Sequence, residues 1–423
     1  MMINKSAIRH CGLILLGVMA GSLSIAAHAQ VPAGSGGAEV APFDAEIAAL
    51  LKKYEVPGAA IAVARNGKLV VSRGYGIADR DSGRRVLPDT PFRIASLTKP
   101  LVAIASLVLA DQGRLSLDLS IAEALRARLP SGTPPAEGQL AKITVRHLIQ
   151  NTAAWGPVEN PRGGGIDRIE FLKLQWLAQG DIRDNFVRLR AAWTIPPVAE
   201  PGAQYAYSTF GYCTLGSVLE AADGRRLDKL LDELVLTSSG VKRFGLAAPH
   251  SGEPRPLPDE TRYYDPPNSP TWTIMVDGRS VPVPRPDAYW PPQVPGACIA
   301  GGRLVLSAPD YLRVLTRAGG RRGTPLLSPA HQALLFATAS TVIKDGGDHV
   351  THGLILTPGP NGGTWWHTGG MPGTATYYSR WGAFEWVAMF NLQPEDRQLY
   401  NDVNAGMWRA IRAVGSWPAV DLF

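Results

Sequence analysis

Cysteine is scarce: the chain has three in 423 residues, and one of them, Cys11, falls within the first thirty. None of the three has the short spacing of a zinc site, so neither a metal nor any other cofactor is expected. Gly-x-Ser-x-Gly is missing altogether, which excludes the strained nucleophile turn of the α/β-hydrolases. Charge is thin as well, at 18% of residues with a net +6. No Lys/Arg run or basic stripe interleaved with aromatics occurs, so nucleic acid is not an expected partner. There is no internal repeat. With 45% hydrophobic residues, the chain has material for a sizeable core and reads as folded rather than disordered.

The first segment carries Lys5 and Arg9, then an apolar run from Cys11 to Ala27, then the small-x-small site Ala27-His28-Ala29. That order describes a secretory signal peptide, residues 1–29, and a periplasmic or secreted product. The apolar run is short and broken by Gly and Ser, so a retained anchor is the weaker reading, and no stable membrane insertion is expected after processing. Cleavage would leave Cys213 and Cys298, either joined as a disulfide or buried as two free thiols.

Residues 30–42 are rich in Gly, Ala and Pro and read as a flexible lead-in. A helix is expected from Phe43 to Tyr54. Two β-rich runs then flank Asn66-Gly67, the strongest short signal for a hairpin. Helical periodicity governs the middle, in "TVRHLIQNTAAW", "IEFLKLQWLAQG" and "GYCTLGSVLEAADG". Residues 254–295 hold about a third of the 35 prolines, too broken for regular structure. This excursion carries Tyr263, Tyr264, Trp272, Tyr289 and Trp290, either as a functional loop or packed on their own domain. Strand character returns in "GLILTPGP", "GTWWHTGG", "TATYYSRWG" and "FEWVAMFNL", and an amphipathic helix spans about Asp396 to Val414. The expected fold is α+β, an antiparallel sheet built from both chain ends (residues 43–100 and 296–423). A mainly helical domain, residues 101–295, is inserted between them.

Chemistry concentrates at Ser96-Leu97-Thr98-Lys99, at the head of an apolar helix. Residues three apart share a helix face, so the lysine amine can reach the serine hydroxyl. A buried amine loses its preference for charge and can then take the serine's proton. Pro100 fits the first helical turn, where proline is tolerated. A second Ser-x-x-Lys, Ser239 to Lys242, precedes a Gly-containing turn and reads as a surface loop. Tyr207 stands just ahead of another helix, where a phenol could relay a proton. His367-Thr368-Gly369 ends a strand, and the N–H of Gly370 could face a carbonyl oxygen. His349 and His352 form the one close histidine pair and read as a loop without a third ligand. Trp155 either lines an acyl pocket or packs in the core.

In this order the motifs "PFRIASLTK", "LADQGRLSLD", "TVRHLIQNT", "PGAQYAYSTFGY", "AGGRLVLSAPDYLRVL" and "HTGGMPG" are specific. The chain resembles the serine β-lactamase and penicillin-binding-protein superfamily, in its branch of class C β-lactamase-like proteins and family VIII carboxylesterases. The resemblance implies that fold, with Ser96 as the acylated nucleophile, Lys99 as activating base, and Tyr207 as second base and proton relay. It implies an oxyanion hole from the N–H groups of Ser96 and Gly370, and substrate contacts from His367, Thr368, Gly369 and Thr209. Which of Lys99 and Tyr207 removes the first proton is left open.

Three departures matter. Tyr-x-Asn reads Tyr207-Ser208-Thr209 here, which removes an amide able to hold both the lysine and an acyl-amide group. Lys-Thr-Gly reads His-Thr-Gly, replacing a fixed cation by an imidazole largely neutral at pH 7. Asn151 and Ala153-Ala154 stand in a segment that is His-Thr-Ser-Gly in many relatives. An exported serine hydrolase acting on a small-molecule ester or amide is expected. The alternatives are a β-lactamase or D,D-peptidase, or a non-catalytic binding descendant of the fold.

Overall fold

The computed structural model describes residues 32–35, 38–126, 139–154, 199–247, 257–264, 266, 298–336, 344, 346–371 and 373–423, together with two strands at 272–276 and 279–283. The signal segment, Trp155, the run "IEFLKLQWLAQG", Tyr289 and Trp290 lie outside the described residues.

A nine-stranded antiparallel sheet is assembled from the two ends of the chain. From the N-terminal side come β1 (Ala33–Ser35), β2 (Gly58–Arg65), β3 (Lys68–Asp79) and β4 (Arg84–Arg85). The C-terminal side gives β5 (His349–Val350), β6 (Ile355–Thr357), β7 (Thr364–Met371), β8 (Thr374–Trp381) and β9 (Phe384–Phe390). Their order is β1-β3-β2-β9-β8-β7-β6-β5, with β4 also on β3. The closure of the two ends is the β9–β2 pairing, which runs from Phe384 opposite Arg65 to Phe390 opposite Ala59. Asn66 (φ 51°) and Gly67 (φ 76°) turn β2 into β3; left-handed backbone at both central positions is what a two-residue hairpin demands.

Strand β2 reads as an unbroken apolar run because both faces of the sheet are covered. Ala60, Ala62 and Ala64 enter one core with α2 (Thr98–Asp111), α3 (Thr209–Asp223) and α5 (Ala308–Ala318). Ala59, Ile61 and Val63 enter the other, with Phe43, Ile47 and Leu50 of α1 (Ala41–Lys53) and Leu399, Val403 and Met407 of α6 (Gln398–Ala413). The one-turn helix α4 (Ile299–Gly302) joins the first core, with Ala300 buried in it. Among the described residues no helix is long and apolar enough to cross a membrane.

Four expectations need correction. Within the 30–42 lead-in, Ala33–Ser35 pair with Gly74–Ser72 of β3 as an edge strand, since backbone groups beside an open edge gain a ladder of partners. The Pro-rich excursion holds a hairpin, Trp272–Val276 against Arg279–Val283; its β-branched residues flank Asp277-Gly278, a turn signal outweighed in the sequence reading by proline count. Its start is packed down, with Tyr263 buried and its hydroxyl donating to Glu260 (2.7 Å) while accepting the Arg93 N–H (2.6 Å). His349 lies on strand β5 rather than in a loop, and Ser239 of the second Ser-x-x-Lys is buried, its Oγ donating to Val235 O at 2.6 Å.

Candidate active site

The nucleophile segment is fastened to the sheet before its helix begins. Phe92–Arg93 pair with Leu304–Leu306, and the Ile94 N–H donates to Leu304 O at 3.0 Å. Thr374 and Thr376 of β8 donate their hydroxyls to Arg93 O (3.1 Å) and Ile94 O (2.9 Å). The chain then turns at Ala95, whose φ of 49° is a costly left-handed value for a residue with a Cβ. Ala95–Leu97 form one 3-10 turn and α2 follows from Thr98. Ser96 therefore projects from a turn fixed by threonines on one side and by an apolar helix, buried from Thr98 to Leu109, on the other.

Lys99 is fully buried. Its amine donates to Ser96 Oγ at 3.0 Å and to Gly301 O at 2.7 Å, and it lies 4.9 Å from the Tyr207 ring centroid and 5.7 Å from that of Tyr212. The Tyr207 hydroxyl donates to Ser96 Oγ at 2.8 Å. Amine and phenol thus meet one hydroxyl oxygen from two sides.

Asn151 holds Tyr207 in place. Its Oδ1 accepts the Ser208 N–H (3.0 Å) and its carbonyl accepts the Ala206 N–H (2.8 Å), so both neighbours of Tyr207 are tied to one residue. Asn151 adopts φ 54°, a conformation asparagine tolerates better than most residues. Ser208 caps α3, its Oγ accepting the Gly211 N–H at 2.9 Å, and the Tyr212 hydroxyl donates to Ile149 O at 2.8 Å.

Strand β7 closes the site. An ideal Cβ on Gly369 would lie 2.5 Å from Ile94 O and 3.1 Å from Ser96 N, so only glycine lets this strand approach the serine turn. Gly370, next along, is exposed. His367 is buried and its Nδ1 lies 2.7 Å from Thr368 O. A carbonyl only accepts, so Nδ1 carries the proton. Burial, with the Lys99 amine adding to it, lowers the His367 pKa to about 3, leaving a neutral ring over the working pH range. Its ring centroid is 6.4 Å from that of Tyr207. Thr368 is half-buried, as is Thr209, the first residue of α3.

Features that the motifs did not reveal complete the surroundings. The Gly301 carbonyl holds Lys99, a role that the motif around it did not signal because a backbone carbonyl is common to every residue. Tyr400, from the first turn of α6, donates its hydroxyl to Gly369 O at 3.0 Å and has its pKa raised by burial; nothing in an amphipathic pattern marks it. A Cβ on Gly370 would meet Gln393 Nε2 at 2.5 Å, Tyr400 Oη at 2.6 Å and Arg397 Nη1 at 3.3 Å. Cys213 and Cys298, left open by the sequence, form a disulfide with a Cα–Cα separation of 5.6 Å. His352 is buried against Arg146 Nη1 (3.1 Å) with its pKa lowered to about 4, chiefly by burial.

A lysine and a tyrosine converging on the serine at a helix head, beside a glycine-bearing strand of an antiparallel sheet, define a serine hydrolase of the β-lactamase and penicillin-binding-protein superfamily. The chain belongs to the Beta-lactamase family, whose model matches residues 43–405. It is similar to "Esterase EstB" of Burkholderia gladioli, 34% identical over 286 residues covering 65% of this chain and 69% of that protein. The fold superposes on EstCE1, described as a hydrolase with promiscuous acyltransferase activity, at TM-score 0.64 and 21% identity, covering 90% of this chain and all of that one (100%). It also superposes on a class C β-lactamase at TM-score 0.65 and 16% identity, covering 89% and 97%.

Proposed function

We propose that this protein is an exported esterase-like hydrolase that cleaves esters or amides of small acyl groups through an acyl-enzyme on Ser96. The observation that carries this reading is the placement of Ser96 Oγ between Lys99 Nζ (3.0 Å) and Tyr207 Oη (2.8 Å). Both groups donate to the serine oxygen in the resting arrangement. Attack needs one bond reversed, with the hydroxyl donating to a neutral amine or a phenolate; the same group then delivers that proton to the leaving alcohol or amine. The oxyanion would sit between the N–H groups of Ser96 and Gly370. Water then attacks the acyl carbonyl, Tyr207 and Lys99 again managing protons, and the acid leaves.

Two observations support this substrate class. Neutral, buried His367 offers no fixed cation where a β-lactam or peptide carboxylate would need one, while the acyl-transfer groups do not depend on it. The 34% identity to Esterase EstB supports the same choice. Residues 1–29 and the disulfide support export, since disulfides persist in oxidising compartments. One observation favours a β-lactamase or D,D-peptidase instead: the Arg397 guanidinium stands beside Gly370, where it could meet a carboxylate. Turnover of p-nitrophenyl acetate and butyrate set against nitrocefin separates the two. Ester cleavage abolished by Ser96→Ala is expected; rapid nitrocefin turnover without ester cleavage would reject the esterase reading.

A further inference from the structure

We propose that the Cys213–Cys298 disulfide positions the Lys99 amine, acting through the Gly301 carbonyl; the proposal rests on Lys99 assisting Ser96 as described above. Of the two acceptors that fix this amine, Gly301 O is the nearer, 2.7 Å against 3.0 Å for Ser96 Oγ. The place of that carbonyl decides where the amine sits relative to the nucleophile. Yet Gly301 belongs to a single-turn helix, Ile299–Gly302, far too short to hold its own geometry. Its position must come from neighbours.

The disulfide supplies two such restraints. Cys298 is the N-cap of α4, and its Sγ accepts the Gly301 N–H at 3.2 Å. Cys213, on the second turn of α3, is covalently joined to it across 85 residues of sequence. The fit around Gly301 is close: a Cβ there would lie 2.8 Å from Thr209 Cγ2, 3.1 Å from Cys298 Sγ and 3.7 Å from Cys213 Sγ. Helix α3 is also the element that Tyr207 leads into. One covalent link therefore ties the carbonyl that holds the amine to the helix that carries the phenol, and the two partners of Ser96 keep their mutual register.

The experiment compares wild type, Cys213→Ala/Cys298→Ala and Cys213→Ala/Cys298→Ser, the last keeping a polar acceptor for the Gly301 N–H without the tether. Steady-state hydrolysis of p-nitrophenyl acetate is measured over pH 5–9. The rate at which a fluorophosphonate modifies Ser96 is followed by intact mass, and all rates are expressed per folded molecule from the tryptophan-fluorescence transition. Expected is a fall in kcat and in the labelling rate of about 10–100-fold in both variants, with KM within about threefold and a displaced acidic limb of kcat against pH. Wild type reduced with a phosphine and still folded should behave as the variants do. Wild-type kcat and pH profile per folded molecule, with only a lower Tm, would overturn the proposal and leave the disulfide a staple. Failure of oxidised wild type to label at Ser96 would instead refute the catalytic reading beneath it.

Discussion

Replacing Tyr207 by phenylalanine deletes one oxygen and leaves the rest of the residue in place. The ring that faces the Lys99 amine at 4.9 Å and lies 6.4 Å from the His367 ring remains, as do the two bonds from Asn151 to the flanking backbone. What disappears is the 2.8 Å hydrogen bond to Ser96 Oγ. As a structural contact, a neutral bond at a half-buried site contributes about 0.5–1.5 kcal/mol, which in a chain of this size moves Tm by no more than about 4 °C. As a proton relay the same hydroxyl contributes about 10²–10⁴ in rate, about 3–5 kcal/mol at the transition state. The two roles differ enough to be separated. Stopped-flow acylation by p-nitrophenyl acetate, steady-state kcat/KM and thermal unfolding, measured on the same preparations, should show the large kinetic loss beside the small shift in Tm. A kcat/KM within tenfold of wild type in a normally folded variant would refute the assignment of Tyr207 to proton transfer.

Other outcomes follow from the same contacts. Asn151→Ala loses the acceptor of the Ser208 N–H and places alanine at φ 54°; a cost of about 1.5–3 kcal/mol by urea unfolding is expected, with kcat falling more than KM because Tyr207 is released. An unchanged kcat would show that other contacts hold the tyrosine. Gly369→Ala drives a methyl group against Ile94 O and towards Ser96 N, so ester hydrolysis should drop at least about 10²-fold; full activity would mean that β7 can retreat without harm. His367 and His352 have pKa values of about 3 and about 4, against an ordinary 6.5. Both stay neutral in the native chain and take up protons only on unfolding, so the stability they contribute is complete above about pH 6.5 and is lost as pH falls towards 4 and 3. At 1.36 kcal/mol per unit the losses reach at most about 5 and about 3 kcal/mol. Urea midpoints that stay flat between pH 7 and 4.5 would contradict the neutral burial.

The sequence by itself determined the parts whose information is local. Asn66-Gly67 specified its hairpin through a backbone preference of two adjacent residues, and the β-rich runs on either side of it supplied the two strands. Ser96 and Lys99 could be paired from their three-residue spacing at a helix head, and Tyr207 from its place before another helix. Proline density misled over residues 272–283, where Asp277-Gly278 carried the better signal, and glycine content misled over Ala33–Ser35, whose strand depends on a partner edge far along the chain. Only tertiary structure could decide that Gly301 offers its carbonyl to Lys99, that Asn151 grips both sides of Tyr207, and that Tyr400 reaches Gly369. Each of these is a bond between backbone or side-chain atoms distant in sequence. Carbonyls and amides are the same at every position, so a residue string records that they exist but not which of them will meet.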